Sequence, residues 1–316
     1  MNPEIEGNRA QAPVEEEIIR MRNGGRTDVS IDGRTGIETV TTTMTRQRMY
    51  VMTAIAAALY VALGIIFADG FFTGTFWSSE SIFGSSYVSW VLLAVIVAAG
   101  IWQAQRIPAS GIPITADAAT ETAGQVEDPA GWKLLLGNTY LGIIWLPIRF
   151  FVGQEWLSAG EHKLRSDAWM SGGSALKGFW TGAVAIPDSP AKPAISYDWF
   201  RSFIQYMLDH EWYTWFAKLI AVGEFMVGVG LILGALVGIA AFFGTLLNFN
   251  FLLAGTVSSN PVLFGLTIFL VLGWKVAGHL GLDRVFLPML GTPWHPGRIV
   301  GDHRPHRADV KIVTTA

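Results

Sequence analysis

Arg149 to Leu164 reads R-F-F-V-G-Q-E-W-L-S-A-G-E-H-K-L. Arg149, Gly153, Trp156, Gly160 and Lys163 recur at alternating steps of four and three, the spacing that aligns side chains along one face of an α-helix. The residues leading in, Leu134 to Pro147, are almost wholly apolar. This stretch therefore predicts a membrane-spanning helix with Arg149 inside it and Lys163 near its end. A charge is costly in lipid, so an intramembrane arginine is either a functional group or a partner that fixes helix packing, and spacing alone leaves both readings open.

The rest of the chain agrees with a membrane setting. Of 316 residues, 51% are hydrophobic and only 15% charged, against about 25% charged in ordinary soluble domains. Mean hydropathy is positive, and several apolar runs approach the length that crosses a bilayer. A net charge of −3 gives no bias toward nucleic acid. With no cysteine in the sequence, disulfides, thiolate metal sites and persulfides carried on this chain are excluded. The 35 glycines and 13 tryptophans suit close helix packing and interfacial anchoring.

Residues 1–48 are polar and predict a flexible cytoplasmic tail, with Asp32-Gly33 as a possible hairpin turn. No apolar h-region stands near the start, so an ordinary cleavable signal is not expected. Residues 49–106 carry two spans, Tyr50–Ala68 and Val88–Gln103, and the Pro- and Ala/Thr-rich stretch 107–131 predicts a cytoplasmic linker. Four further spans follow at about 138–163, 216–233, 236–256 and 262–280. Between the first two of these, residues 165–215 hold two aromatic segments, read as short helices lying at the membrane interface or re-entering it. Residues 282–316 form a basic tail. Lysines and arginines lie before the first span, in the linker and in the tail, while the loops 69–87 and 257–261 have none. The positive-inside rule then predicts six spans with both termini cytoplasmic.

At a rise of about 1.5 Å per residue, Arg149 and Glu224 enter the membrane from opposite sides and reach similar depth, which predicts a mid-membrane ion pair. Asn248 and Asn250 also sit near mid-depth but about 200° apart on their helix, so one at least is expected to bond a neighbouring helix. Gly230, Gly234 and Gly238 read as packing glycines. The six histidines show no spacing suited to a metal or haem site, and neither cofactor is expected.

Together these residues resemble the DoxX/DoxD family of small membrane proteins over about 138–281. The resemblance rests on R-x₃-G-x₆-G-x₂-K at Arg149, Gly153, Gly160 and Lys163, on Glu224 with Gly228 and the later Leu233-Gly234 turn, and on a polar fifth span. The family often has a basic residue after that turn; Ala235–Gly238 has none. The resemblance implies an all-α polytopic fold, a DoxX-like four-helix bundle over 132–281, with the two N-terminal spans as additions. It also implies a prokaryotic plasma-membrane protein. One branch of the family is the membrane subunit of thiosulfate:quinone oxidoreductase and works with a DoxA-like second subunit. On that reading Trp156, Phe225 and Asn248 would hold a quinone, Arg149 would stabilise negative charge on it and Glu224 would deliver a proton. Lys163 and Lys177 would attract thiosulfate. The alternative is a non-enzymatic scaffold for a redox or stress-response complex, homo- or hetero-oligomeric and in contact with membrane lipid; a transporter ranks last.

Overall fold

The computed structural model describes residues 21–23, 27–31, 38–73, 81–117 and 128–291. The chain divides into two compact units, residues 1–44 with 111–134 and residues 45–110 with 135–316.

The first unit corrects the all-α expectation. Strands β1 (Met21–Asn23), β2 (Thr27–Ile31), β3 (Glu38–Met44) and β4 (Ile112–Asp117) form one antiparallel sheet in the order β1-β2-β3-β4. Part of the expected flexible tail and part of the expected linker are thus paired strands, with Val40 opposite Ala116 and Met44 opposite Ile112. The run T-V-T-T-T in β3 is β-branched throughout, which favours extended backbone. Pro113, which lacks an N–H, sits in β4 at the sheet edge, where a missing donor is tolerated. Asp32-Gly33, the acidic patch at Glu15–Glu17 and the basic tail beyond Gly291 lie outside the described residues.

The second unit is helical. It contains α1 (Arg46–Phe67), α2 (Ser86–Gln105), the end of α3 (Ala130–Gly137), α4 (Gly142–Arg165), α5 (Asp167–Met170), α6 (Ser174–Val184), α7 (Asp198–Asp209), α8 (Tyr213–Leu233), α9 (Val237–Leu253), α10 (Asn260–Leu272), α11 (Trp274–Ala277) and α12 (Asp283–Leu290). Thr45 starts α1 by accepting the Arg48 N–H at 3.2 Å, an N-cap that satisfies an otherwise orphaned donor. The 3₁₀ turn Thr139–Leu141, with Asn138 accepting from the Tyr140 N–H, delays α4 to Gly142. The interfacial segments expected within 165–215 are helical as α5, α6 and α7.

Among the described residues α1, α2 and α8 are each long and apolar enough to cross a membrane, and α4 makes a fourth when joined to the short helix before it. Four of the six expected spans correspond to these helices. With 17 and 13 residues, α9 and α10 reach about 25 and 20 Å, short of a hydrocarbon core of about 30 Å. The apolar run that suggested a full sixth span breaks at Gly273, where a Cβ would lie 2.7 Å from the Trp145 ring.

Helices α4, α8, α9 and α10 close a ring: α4 packs on α8 and α10, and α9 packs on the same two. Against α4 also lie α1 and α2. Tyr60 donates to Gln154 Oε1 at 2.9 Å and Gln154 Nε2 donates to Ser89 Oγ at 2.8 Å, a buried polar chain that ties three helices together. In a dry helix bundle such a bond locks rotation and register, so the two N-terminal helices are joined to the ring by more than apolar contact. Helices α6 and α7 form a satellite core with the start of α8, built on Trp180, Phe200, Ile204, Met207 and Tyr213.

Candidate functional site

The face running from Arg149 to Lys163 meets α8 in a single antiparallel register, and its glycines set the distance. A Cβ on Gly160 would stand 2.7 Å from the Phe225 Cα, and one on Gly228 would stand 2.7 Å from the Leu157 Cα. Each glycine therefore lets the partner backbone occupy side-chain space. Gly153 sits against Leu231 and Ile232. Continuing in the same sense, Arg149 lies against Gly234, which ends α8 with φ +65°.

That register separates the two charges expected to pair. Arg149 reaches Gly234, ten positions past Glu224 on α8, which is about 15 Å along the helix. Glu224 is level with the last turns of α4, where Lys163 Nζ sits 2.6 Å from its Oε2. The Arg149–Glu224 ion pair is thus replaced by Lys163–Glu224. Local periodicity gives each helix a face but not its longitudinal offset against its neighbour, and the sequence-based depths were too coarse by two to three turns.

Arg149 is 1% exposed and is held by the end of the bundle. Its Nη1 donates to Ala277 O at 2.8 Å and its Nη2 to Leu280 O at 3.1 Å, carbonyls that the end of α11 leaves without helical partners. Asp283 completes this knot by accepting the N–H groups of Leu236 and Val237, at 2.5 and 3.0 Å, which open α9. Burial pushes the Asp283 carboxyl up from the ordinary range, opposed by those two N–H groups and the Arg149 charge. Asp283 went unrecognised in the sequence because it follows the last apolar run and caps a helix 46 positions earlier.

The other end of α4 carries a second charged cluster. Glu161 accepts from Ser81 Oγ at 2.6 Å, from the Phe83 N–H at 3.0 Å and from Arg165 at 2.5 Å, anchoring the loop before α2. Lys163 also faces the Trp169 ring at 5.1 Å. Lys177 lies 5.0 Å from the Tyr213 ring instead.

The three residues expected to surround a quinone are not gathered in one slot. Phe225 packs beside Gly160 and Phe83. Trp156 is stacked on Phe251 with ring centroids 6.5 Å apart, and among the described residues its Nε1 has no hydrogen-bond partner. Asn248 is fully buried, and among the described residues neither of its amide atoms is partnered. Asn250 donates to Leu246 O of its own helix, so neither asparagine makes the expected helix–helix bond.

A cavity of about 590 Å³ lies instead between α6, α7, α8 and α9. Its walls include Trp180, Phe200, Met207, Phe216, Phe243 and Phe251; among the described residues no charged side chain lines it, and Asn250 supplies an amide. Trp156, Phe225 and Asn248 do not line it, although Phe251 joins the Trp156 stack to its wall. Periodicity had no means of revealing this space, since α6 and α7, which lie outside the bundle, form one side of it. Among the described residues no group of three or more histidine or acidic side chains is placed to hold a metal.

Comparison of the chain with family models, with curated proteins and with solved structures returns no match. What fold and site define is therefore a class: a mostly helical protein with, among the described residues, three to four helices able to span a membrane.

Proposed function

We propose that this chain is the quinone-binding membrane subunit of an oxidoreductase that takes electrons from thiosulfate or a related sulfur compound, set in a prokaryotic plasma membrane with both termini cytoplasmic. The observation that carries the reading is the cavity of about 590 Å³, a volume within the range of about 300–1,000 Å³ typical of small-molecule sites. Its aromatic, uncharged walls suit a quinone ring and its isoprenoid tail. The Asn250 amide offers one polar contact to a quinone oxygen. In the balanced reaction two thiosulfates lose one electron each as an S–S bond forms between them, and the quinone takes up the two electrons with two protons. Because the chain has no cysteine, that bond forms between substrates or on a DoxA-like partner.

On this reading Arg149 is a positioning residue rather than a catalytic one, since its Nη atoms are committed to backbone carbonyls. Glu224 is tied to Lys163, which lowers the pull of that lysine on a thiosulfate anion and leaves Lys177 as the more available cation. The commitment of both central charges to protein partners is also what favours the second reading, a non-enzymatic membrane scaffold.

The test uses Gly223, which lines the cavity and has open space where a Cβ would go. Gly223→Phe is expected to fill the cavity without unfolding the bundle. Wild-type protein in nanodiscs should retain a native quinone and support thiosulfate-dependent quinone reduction when a partner subunit is supplied, and Gly223→Phe should lose both. A folded wild type that neither retains quinone nor turns over with the partner would transfer the assignment to the scaffold.

A further inference from the structure

A second groove, of about 460 Å³, lies between α2 and the segment that joins α11 to α12. Its walls are Val95, Ala98, Ala99 and Trp102 on α2, and His279, Leu280, Gly281 and Arg284 across from them. Val95, Ala98, Ala99 and Trp102 follow helical spacing, so an apolar strip of about 10 Å runs along α2 and ends at the indole. Two guanidinium groups converge on that ring, Arg106 at 3.8 Å and Arg284 at 5.8 Å from its centroid. Both arginines are exposed, and among the described residues neither forms an ion pair. Asp283, the carboxylate next to Arg284, is turned inward onto the Leu236 and Val237 N–H groups. The His279 imidazole stands on the same wall as Arg284.

From this arrangement we infer a binding site for an anionic phospholipid: the headgroup phosphate sits between Arg106 and Arg284 at the rim of Trp102, and an acyl chain lies along Val95, Ala98 and Ala99. Guanidinium pairs match phosphate oxygens in charge and geometry. Tryptophan belongs at the level of the headgroups. The groove is at the arginine-bearing end of the helices, where Arg46 donates from its Nε to Ile107 O just after α2. Basic pockets between helices at such an end select negatively charged headgroups. The apolar strip is what commits the occupant to a lipid rather than a soluble phosphate.

The experiment is native mass spectrometry of the full chain in detergent, with phosphatidylglycerol, cardiolipin or phosphatidylcholine added at equal concentration. Wild-type protein is expected to bind the anionic lipids at least about tenfold more tightly than phosphatidylcholine, since each basic residue near a headgroup contributes on the order of a threefold to tenfold preference. Arg106→Gln with Arg284→Gln should abolish that preference. Ala98→Trp should block the groove with both charges intact and reduce binding of every lipid. Both changes are at the surface, and an unaltered melting temperature checks that the bundle is intact. Equal binding of anionic and neutral lipid, a preference that survives the double arginine change, or displacement of bound lipid by millimolar inorganic phosphate would each overturn the assignment. Anionic binding that appears only after residues 292–316 are deleted would give the groove to the tail and also overturn it. None of these outcomes depends on quinone retention.

Discussion

Removing the Lys163 ammonium strands the Glu224 carboxylate in the contact between α4 and α8. The two groups are 2.6 Å apart, with Glu224 1% and Lys163 18% exposed. Breaking a buried pair from one side costs about 3–5 kcal/mol, because the remaining charge has lost both water and partner, whereas replacing both with apolar groups of similar size is often neutral. Lys163→Met and Glu224→Leu should therefore each destabilise by about 3–5 kcal/mol, and the double variant should recover most of the loss, which requires a coupling at least as large as either single loss. Arg149 occupies a separate site. Arg149→Leu leaves Ala277 O and Leu280 O without their donors, at about 1–3 kcal/mol for each buried polar group left unmade. Combined with Glu224→Leu its effect should add to within about 0.5 kcal/mol, as for residues that share no partner. The assay is reversible unfolding of the purified protein in mixed micelles by added dodecyl sulfate, run as two double-mutant cycles. A coupling between Arg149 and Glu224 equal to or larger than that between Lys163 and Glu224 would refute the register on which the site description rests.

Two further outcomes follow from the packing. Gly160→Leu drives a side chain into the Phe225 backbone, so it should separate α4 from α8 and destabilise by more than the about 1–3 kcal/mol of ordinary overpacking; Gly178→Leu, where nothing stands near the Cβ position, should be close to silent in the same unfolding assay. Tyr60→Phe removes the donor to Gln154 Oε1 and should cost about 1 kcal/mol, read as faster proteolysis around the α1–α2 loop.

The register explains why some of this was legible and some was not. The alternating steps from Arg149 to Lys163 predicted one helix face, and that face does meet α8 through Gly153 and Gly160. The expected partner of Arg149 failed because a helical period carries angular information only. Its true partners, the carbonyls of Ala277 and Leu280, are backbone atoms and leave no mark in composition. Gln154 looked like one polar residue among many, and only the proximity of Tyr60 and Ser89 makes it a three-helix junction. Asp32-Gly33 marks a possible hairpin turn as the alternative to a flexible tail, and β2 and β3, which flank it, do pair antiparallel; the pairing of β3 with β4 has no such local signal. β3 and β4 are far apart in the chain, and each alone is a stretch of only six or seven residues; pairing supplies the hydrogen bonds that make extended backbone stable.

By itself the sequence determined the membrane class, the absence of thiol chemistry and the places where apolar helices form, because transfer into lipid depends on summed hydropathy and helix length. The tertiary structure decided which charges meet, which helices are long enough to span and where space remains between them. Those depend on how far one backbone can slide along another before side chains collide, and at Gly160 and Gly228 it is the missing Cβ on one helix that admits the backbone of the other.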